Sequence, residues 1–101
     1  NILKNDEKCD LVICLSHMGY NYKSEKPCDT KLATNSKDID IIIGGHTHTF
    51  MDEPDVRKNL NGEEVIINQV GWAGLMLGRL EVMIEKGKNK KCITCRNSYI
   101  R

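Results

Sequence analysis

Asp38-Ile39-Asp40-Ile41-Ile42-Ile43-Gly44-Gly45-His46-Thr47-His48-Thr49 is the stretch whose reading decides the fold. Three consecutive β-branched residues, Ile41, Ile42 and Ile43, read as a short strand buried on both faces, as in the parallel sheet of an α/β protein. Gly44 and Gly45 end the run. Lacking a Cβ, they permit a sharp turn and a close backbone approach at the strand's carboxyl end. His46 and His48 follow at once. In extended chain, positions i and i+2 face the same side, so both imidazoles can enter one cavity, whereas on a helix they would diverge by roughly 200°. Open α/β sheets bind ligands at strand ends, so the pair reads as candidate metal ligands.

Toward the amino terminus the pattern recurs. Residues 9–15 (Cys-Asp-Leu-Val-Ile-Cys-Leu) form a second apolar run, followed by Ser16-His17-Met18-Gly19. His17 and His46 are 29 positions apart, a spacing that fits one βαβ unit of about 30 residues. The two strands are therefore expected side by side and parallel, with all three histidines at one edge. Between them, residues 20–27 read as a polar loop. Asp29 or Thr30 is expected to cap a short crossover helix reaching about Ser36, with Leu32 and Ala33 toward the sheet. Residues 1–8 have the polarity of a helix's last turn or two, with Ile2 and Leu3 as inward candidates, and they read as cut from something longer.

Toward the carboxyl terminus, residues 49–61 read as a loop, and its carboxylates Asp52, Glu53 and Asp55 as solvated rather than metal-binding. Asn61-Gly62 is a turn signal leading into a strand over 64–70. After Gly71-Trp72-Ala73-Gly74 the chain alternates. Met76, Gly78, Leu80, Val82 and Ile84 fall on one face, and Arg79, Glu81 and Glu85 on the other with Leu75, Leu77 and Met83, as in a half-buried antiparallel strand. A turn at 87–90 and a last edge strand over 92–100 complete the chain. Trp72 is open to two readings, a platform for a planar ligand or a core filler. Cys92 and Cys95 are expected to be plain strand residues, because regular strand geometry would hold their Cα atoms about 10 Å apart, beyond disulfide reach.

Composition narrows the partner classes. With 101 residues the chain is one domain at most, and 15 basic against 14 acidic side chains leave a net charge of +1. No field favours nucleic acid or an anionic membrane, and the basic cluster Lys86, Lys88, Lys90 and Lys91 reads as a solvated turn. No apolar run approaches the ~20 residues of a membrane helix, and no signal peptide is visible. The cysteine count of five is odd, so at least one thiol is free or bonded elsewhere.

The elements Leu15-Ser16-His17-Met18-Gly19 and Gly44-Gly45-His46-Thr47-His48, with the segment 71–80, resemble the calcineurin-like metallophosphoesterases. Within that superfamily the likeness is to the 5′-nucleotidases and their periplasmic relatives that also act on cyclic nucleotides. It covers nearly the whole chain but matches only the second half of the family's catalytic domain, so 1–101 is expected to be that carboxyl-terminal half. The resemblance implies an α/β sandwich of two sheets, with mixed parallel and antiparallel strands and a short crossover helix. It implies two divalent metal ions (Zn, Mn, Fe, Co or Ca), with His17 and His46 on one and His48 on the other.

The family's first half supplies an Asp-x-His pair, a bridging Asp and a Gly-Asn-His-Asp/Glu segment, none of which occurs in these 101 residues. The expected function is metal-dependent hydrolysis of a nucleotide phosphate ester, with this chain inactive alone. The expected partners are the nucleotide substrate and the missing half, with no nucleic-acid polymer and no membrane span. By resemblance the location is periplasmic or otherwise extracytoplasmic. Strands stripped of partners also predict a homodimer of the chain. The alternatives are a small His-based metal-binding module and a truncated interaction module without catalysis.

Overall fold

A computed structural model of the chain describes residues 2–3, 7–84 and 91–100, with side chains of the last strand described from residue 95 onward. The elements are β1 (Ile13–Leu15), α1 (Asp29–Thr34), β2 (Ile41–Ile43), β3 (Asp55–Lys58), β4 (Glu64–Asn68), β5 (Met76–Met83) and β6 (Lys91–Tyr99). The fold is α/β with two sheets, one ordered β1-β2-β4-β3 and the other formed by β5 and β6. β1, β2 and β4 run parallel, and β3 pairs antiparallel with β4.

One face of the first sheet is closed by α1. Ala33 of the helix, Ile42 of β2, and Val65 and Ile67 of β4 form a fully buried cluster, with Cys14, Tyr20, Leu32 and Ile39 packed around it. Burial of Ile42, Val65 and Ile67 contributes about 1.5–3 kcal/mol each over leaving them exposed. Leu32 and Ala33 thus lie where the helical spacing put them. The helix start differs from expectation. Cys28 is the N-cap and makes no side-chain cap bond, and the Asp29 carboxylate accepts from Ser16 Oγ instead of capping the helix.

The opposite face is covered only in part, which corrects the expectation of strands buried on both sides. Ile41 and Ile66 are buried there, but Ile13, Leu15 and Ile43 are 49%, 79% and 43% exposed. The reason lies in the sheet order. The second sheet meets the first at β4, where Asn68 and Asn97 exchange amide hydrogen bonds of 2.9 and 2.7 Å, while β1 is the far edge. Gly78 makes that meeting possible, since a Cβ there would fall 2.6 Å from Asn68 Nδ2.

Three further expectations change. The loop 49–61 contains a strand, β3, joined to β4 through Asn59, whose Oδ1 accepts the amides of Asn61 and Glu63. Asp52 and Glu53 are solvated as expected, but Asp55 is a strand residue. Ile2 and Leu3 are exposed, and the Glu7 N–H donates to the Ile2 carbonyl. Cys95 is disulfide-bonded, while Cys9, Cys14 and Cys28 are free thiols. Regular strand spacing does not hold there, because Thr94 faces Glu81 and Cys92 faces Val82, leaving Ile93 as an extra, bulged residue. The turn 87–90, with Lys86, Lys88 and Lys90, and the side chains of Lys91 and Cys92 lie outside the described residues.

Asp55 joins the edge strand to the first loop. Its Oδ2 accepts from the Tyr20 hydroxyl at 2.6 Å and from Arg57 Nε at 3.0 Å. Burial, and then the neighbouring carboxylate, push the Tyr20 phenol above its ordinary value. A raised folded-state value means that the neutral phenol stabilises the fold fully below pH about 10, and that this contribution is lost as pH rises through the folded value. Urea denaturation should therefore show stability falling more steeply above pH about 10 in the wild type than in Tyr20→Phe. Equal slopes would show that the pair does not couple folding to pH.

Candidate functional site

The parallel pairing brings three strand ends to one edge. Leu15, Ile43 and Asn68 stand side by side in the register, and the ladder continues as Ser16 N–H donates to the Ile43 carbonyl and Gly44 N–H to that of Asn68, both at 2.9 Å. Ser16 Oγ then donates to Asp29 Oδ1 at 2.6 Å. Asp29 is wholly buried. Its Oδ2 has no hydrogen-bond partner and lies against Gly44, where any Cβ would collide with it. Gly44 is thus required for close approach.

His17 and His46 meet at this edge. His17 Nε2 lies 3.4 Å from His46 Nδ1, with ring centroids 5.0 Å apart and planes at 71°. His48 stacks instead on Trp72, with centroids 6.1 Å apart and planes at 15°. Trp72 is 58% exposed, which excludes its core-filling reading. Among the described residues, no three His, Cys, Asp or Glu side chains gather as a metal cage.

The loop itself is not the extended chain that His-x-His suggests. Positive φ falls on the histidines, +69° at His46 and +51° at His48, rather than on Gly44 or Gly45. Thr47 N–H donates to the Gly45 carbonyl at 2.8 Å, closing a strained three-residue turn about His46. A non-glycine residue held in this region costs on the order of 1–3 kcal/mol and persists only where its surroundings impose it. Here they include Thr47 Oγ1, which accepts the Tyr20 amide at 3.1 Å, and Gln69, which is buried beneath the loop. Sequence reading missed Asp29 and Gln69 as site residues. The available signal for Gln69 was a polar pair, Asn68-Gln69, closing an otherwise apolar strand.

Two imidazole nitrogens bound tetrahedrally to one ion at about 2.0–2.1 Å would stand about 3.4 Å apart, which is the separation of His17 and His46. The separation matches that spacing, as it does a hydrogen bond between the two rings.

No family model matches the sequence. The chain is 41% identical over 86 residues to a trifunctional nucleotide phosphoesterase of Bacillus subtilis, covering 84% of this chain and 5% of that protein. The chain belongs to the calcineurin-like metallophosphoesterases, in their 5′-nucleotidase branch. This metallophosphoesterase chain is also 40% identical over 102 residues to an apyrase of Tabanus yao, covering 86% of the chain and 17% of the apyrase. Its fold superposes on the NAD nucleotidase of Haemophilus influenzae with a TM-score of 0.78 and 25% identity, over 96% of the chain and 21% of the nucleotidase. The metallophosphoesterase chain thus spans about a fifth or less of the proteins it matches.

The collision predicted for Gly44 gives a direct check on the site's floor. Gly44→Ala should destabilise the chain by about 1–3 kcal/mol, the usual range for overpacking. Combining it with Asp29→Ala, which vacates the colliding carboxylate, should cost less than the sum of the two single changes. Strict additivity in urea denaturation would place the two residues apart.

Proposed function

We propose that this chain is the carboxyl-terminal half of a two-metal catalytic domain that hydrolyses nucleotide phosphate esters. In this reading His17 and His46 hold one ion and His48 contributes to the second. The observation that carries it is the approach of His17 Nε2 and His46 Nδ1 to 3.4 Å at neighbouring parallel strand ends, in a chain whose relatives carry the names nucleotide phosphoesterase and apyrase. Bound divalent ions would supply Lewis-acid polarisation of the phosphate and a water of lowered pKa. Imidazole donors suit zinc, iron or cobalt better than calcium, which prefers oxygen.

What the chain's own residues do is narrower. His17 and His46 offer nitrogen donors from two rigid strand ends, and the Ser16–Asp29 bond holds the first of those loops. No carboxylate joins the two histidines among the described residues. Ile13, Leu15 and Ile43, exposed on and beside an edge strand, are the surface on which the domain's other half would pack. The disulfide at Cys95 supports an oxidising, extracytoplasmic location, and among the described residues no helix is long and apolar enough to cross a membrane.

Two outcomes follow from this reading. The isolated chain, given Mn²⁺ or Zn²⁺ and a nucleoside monophosphate, should hydrolyse no faster than its His46→Ala variant. Joined to the preceding half of the domain it should be active, and His46→Ala should then lower the rate on the order of a thousandfold. Robust hydrolysis by the 101 residues alone, abolished by His46→Ala, would overturn the half-domain reading. Alone, the chain should also cover its bare sheet face with a second copy, so light scattering over a tenfold dilution should report a dimer dissociating. A dispersed monomer at high concentration would show that the face needs no cover.

A further inference from the structure

We infer that Gln69 is the positioning residue that sets the backbone of both His46 and His48, so that the geometry of the metal centre is held by a side chain beneath the loop. This rests on the reading of that site given above and adds the residue that shapes it.

Gln69 follows β4 and is 2% exposed. Its Nε2 donates to the Gly45 carbonyl at 2.9 Å, and its Oε1 accepts the Thr49 N–H at 2.9 Å. One partner is a carbonyl and the other an amide, so the side-chain orientation follows from their chemistry. Gly45 immediately precedes His46, and Thr49 immediately follows His48. The amide therefore staples the two ends of the tripeptide that carries both positive-φ histidines. A further contact, Nε2 to Thr47 Oγ1 at 3.3 Å, reaches the residue between them.

Two left-handed residues in a row of three are strained and persist only where their surroundings impose them. Removing the amide would leave the Thr49 N–H without its partner and strip the Gly45 carbonyl of its link to the sheet, leaving only its bond from the Thr47 N–H within the loop. The chain beyond the loop has its own anchor, since Gly71 N–H donates to the Thr49 carbonyl at 2.9 Å and Phe50 bridges Val70. Loss of Gln69 should consequently release the tripeptide alone.

The test uses the full chain with Co²⁺ as the probe, whose visible absorption reports its ligands, alongside amide hydrogen exchange. Gln69→Ala should weaken Co²⁺ binding about tenfold or more and speed exchange at Thr49, while the strand amides of Ile42 and Ile67 keep their protection. Gln69→Glu keeps an acceptor for Thr49 but offers oxygen to the Gly45 carbonyl. It should therefore retain protection at Thr49 and still lose Co²⁺ affinity. Unchanged affinity in Gln69→Ala, with exchange at Thr49 raised, would reduce Gln69 to a structural role and overturn the inference. If wild type binds no Co²⁺, or binds it undiminished in His17→Ala, the reading of the site fails instead. Exchange then decides Gln69 alone: unchanged Thr49 protection in Gln69→Ala overturns the staple, and selective loss supports it. Should Gln69→Ala lose protection throughout the sheet, the Gln69→Glu variant carries the same comparison.

Discussion

Everything at the functional edge depends on the shared register of three parallel strands. Because Leu15, Ile43 and Asn68 stand level, the loops bearing His17, His46 and Gln69 leave the sheet at one height. A slip of one residue would carry Ile42 from the helix-covered face to the open one. Asp40 guards against this at the opposite end of the strands. Its Oδ2 accepts the Val12 N–H at 2.7 Å, its own N–H donates to the Val12 carbonyl, and its carbonyl accepts the Ile66 N–H. One buried residue thus ties all three strands where the register begins.

The order of apolar runs was enough to find β1, β2, β4 and β5, because each is rich in β-branched or alternating apolar residues. The spacing of His17 and His46 was enough to make β1 and β2 parallel neighbours. β3 was hidden for a physical reason. It contains one apolar residue, Val56, which is itself half exposed, so its pairing with β4 leaves no periodic trace. Burial on both faces was misjudged because an apolar strand declares that it can be covered and not whether a partner is present. Ile43 and Ile41 are the same residue type two positions apart, yet only Ile41 is enclosed. Cys95 is disulfide-bonded, which its place in an alternating strand did not announce.

Asn68 and Gln69 show how little sequence is needed to connect the parts. Adjacent residues at a strand's end point to opposite sides. Asn68 therefore reaches the second sheet, through its paired bonds with Asn97, while Gln69 reaches the histidine loop. Both side chains are buried and both are satisfied, the condition under which polar groups add specificity without a net penalty. Asn97 also donates to the Met51 carbonyl at 2.7 Å, so the second sheet holds the chain just beyond the loop. The histidine loop is fixed from beneath and behind by amides that do not belong to it.

The backbone strain follows from the same economy of space. Gly44 is committed to the approach of Asp29, so a glycine there serves packing, and the turn falls on the next residues. Positive φ falls on His46 and His48 and not on Gly45, and histidine tolerates it better than branched or bulky residues do. A glycine at either position would turn more freely but carry no donor nitrogen. The chain instead places the donor and the strain on the same residue and adds a buried staple to hold it. Departures from local preference concentrate where a site must be held in one geometry. Of the four described non-glycine residues with positive φ, Lys8, His46, His48 and Ala73, two are the histidines that the opening stretch of sequence singled out for a different reason.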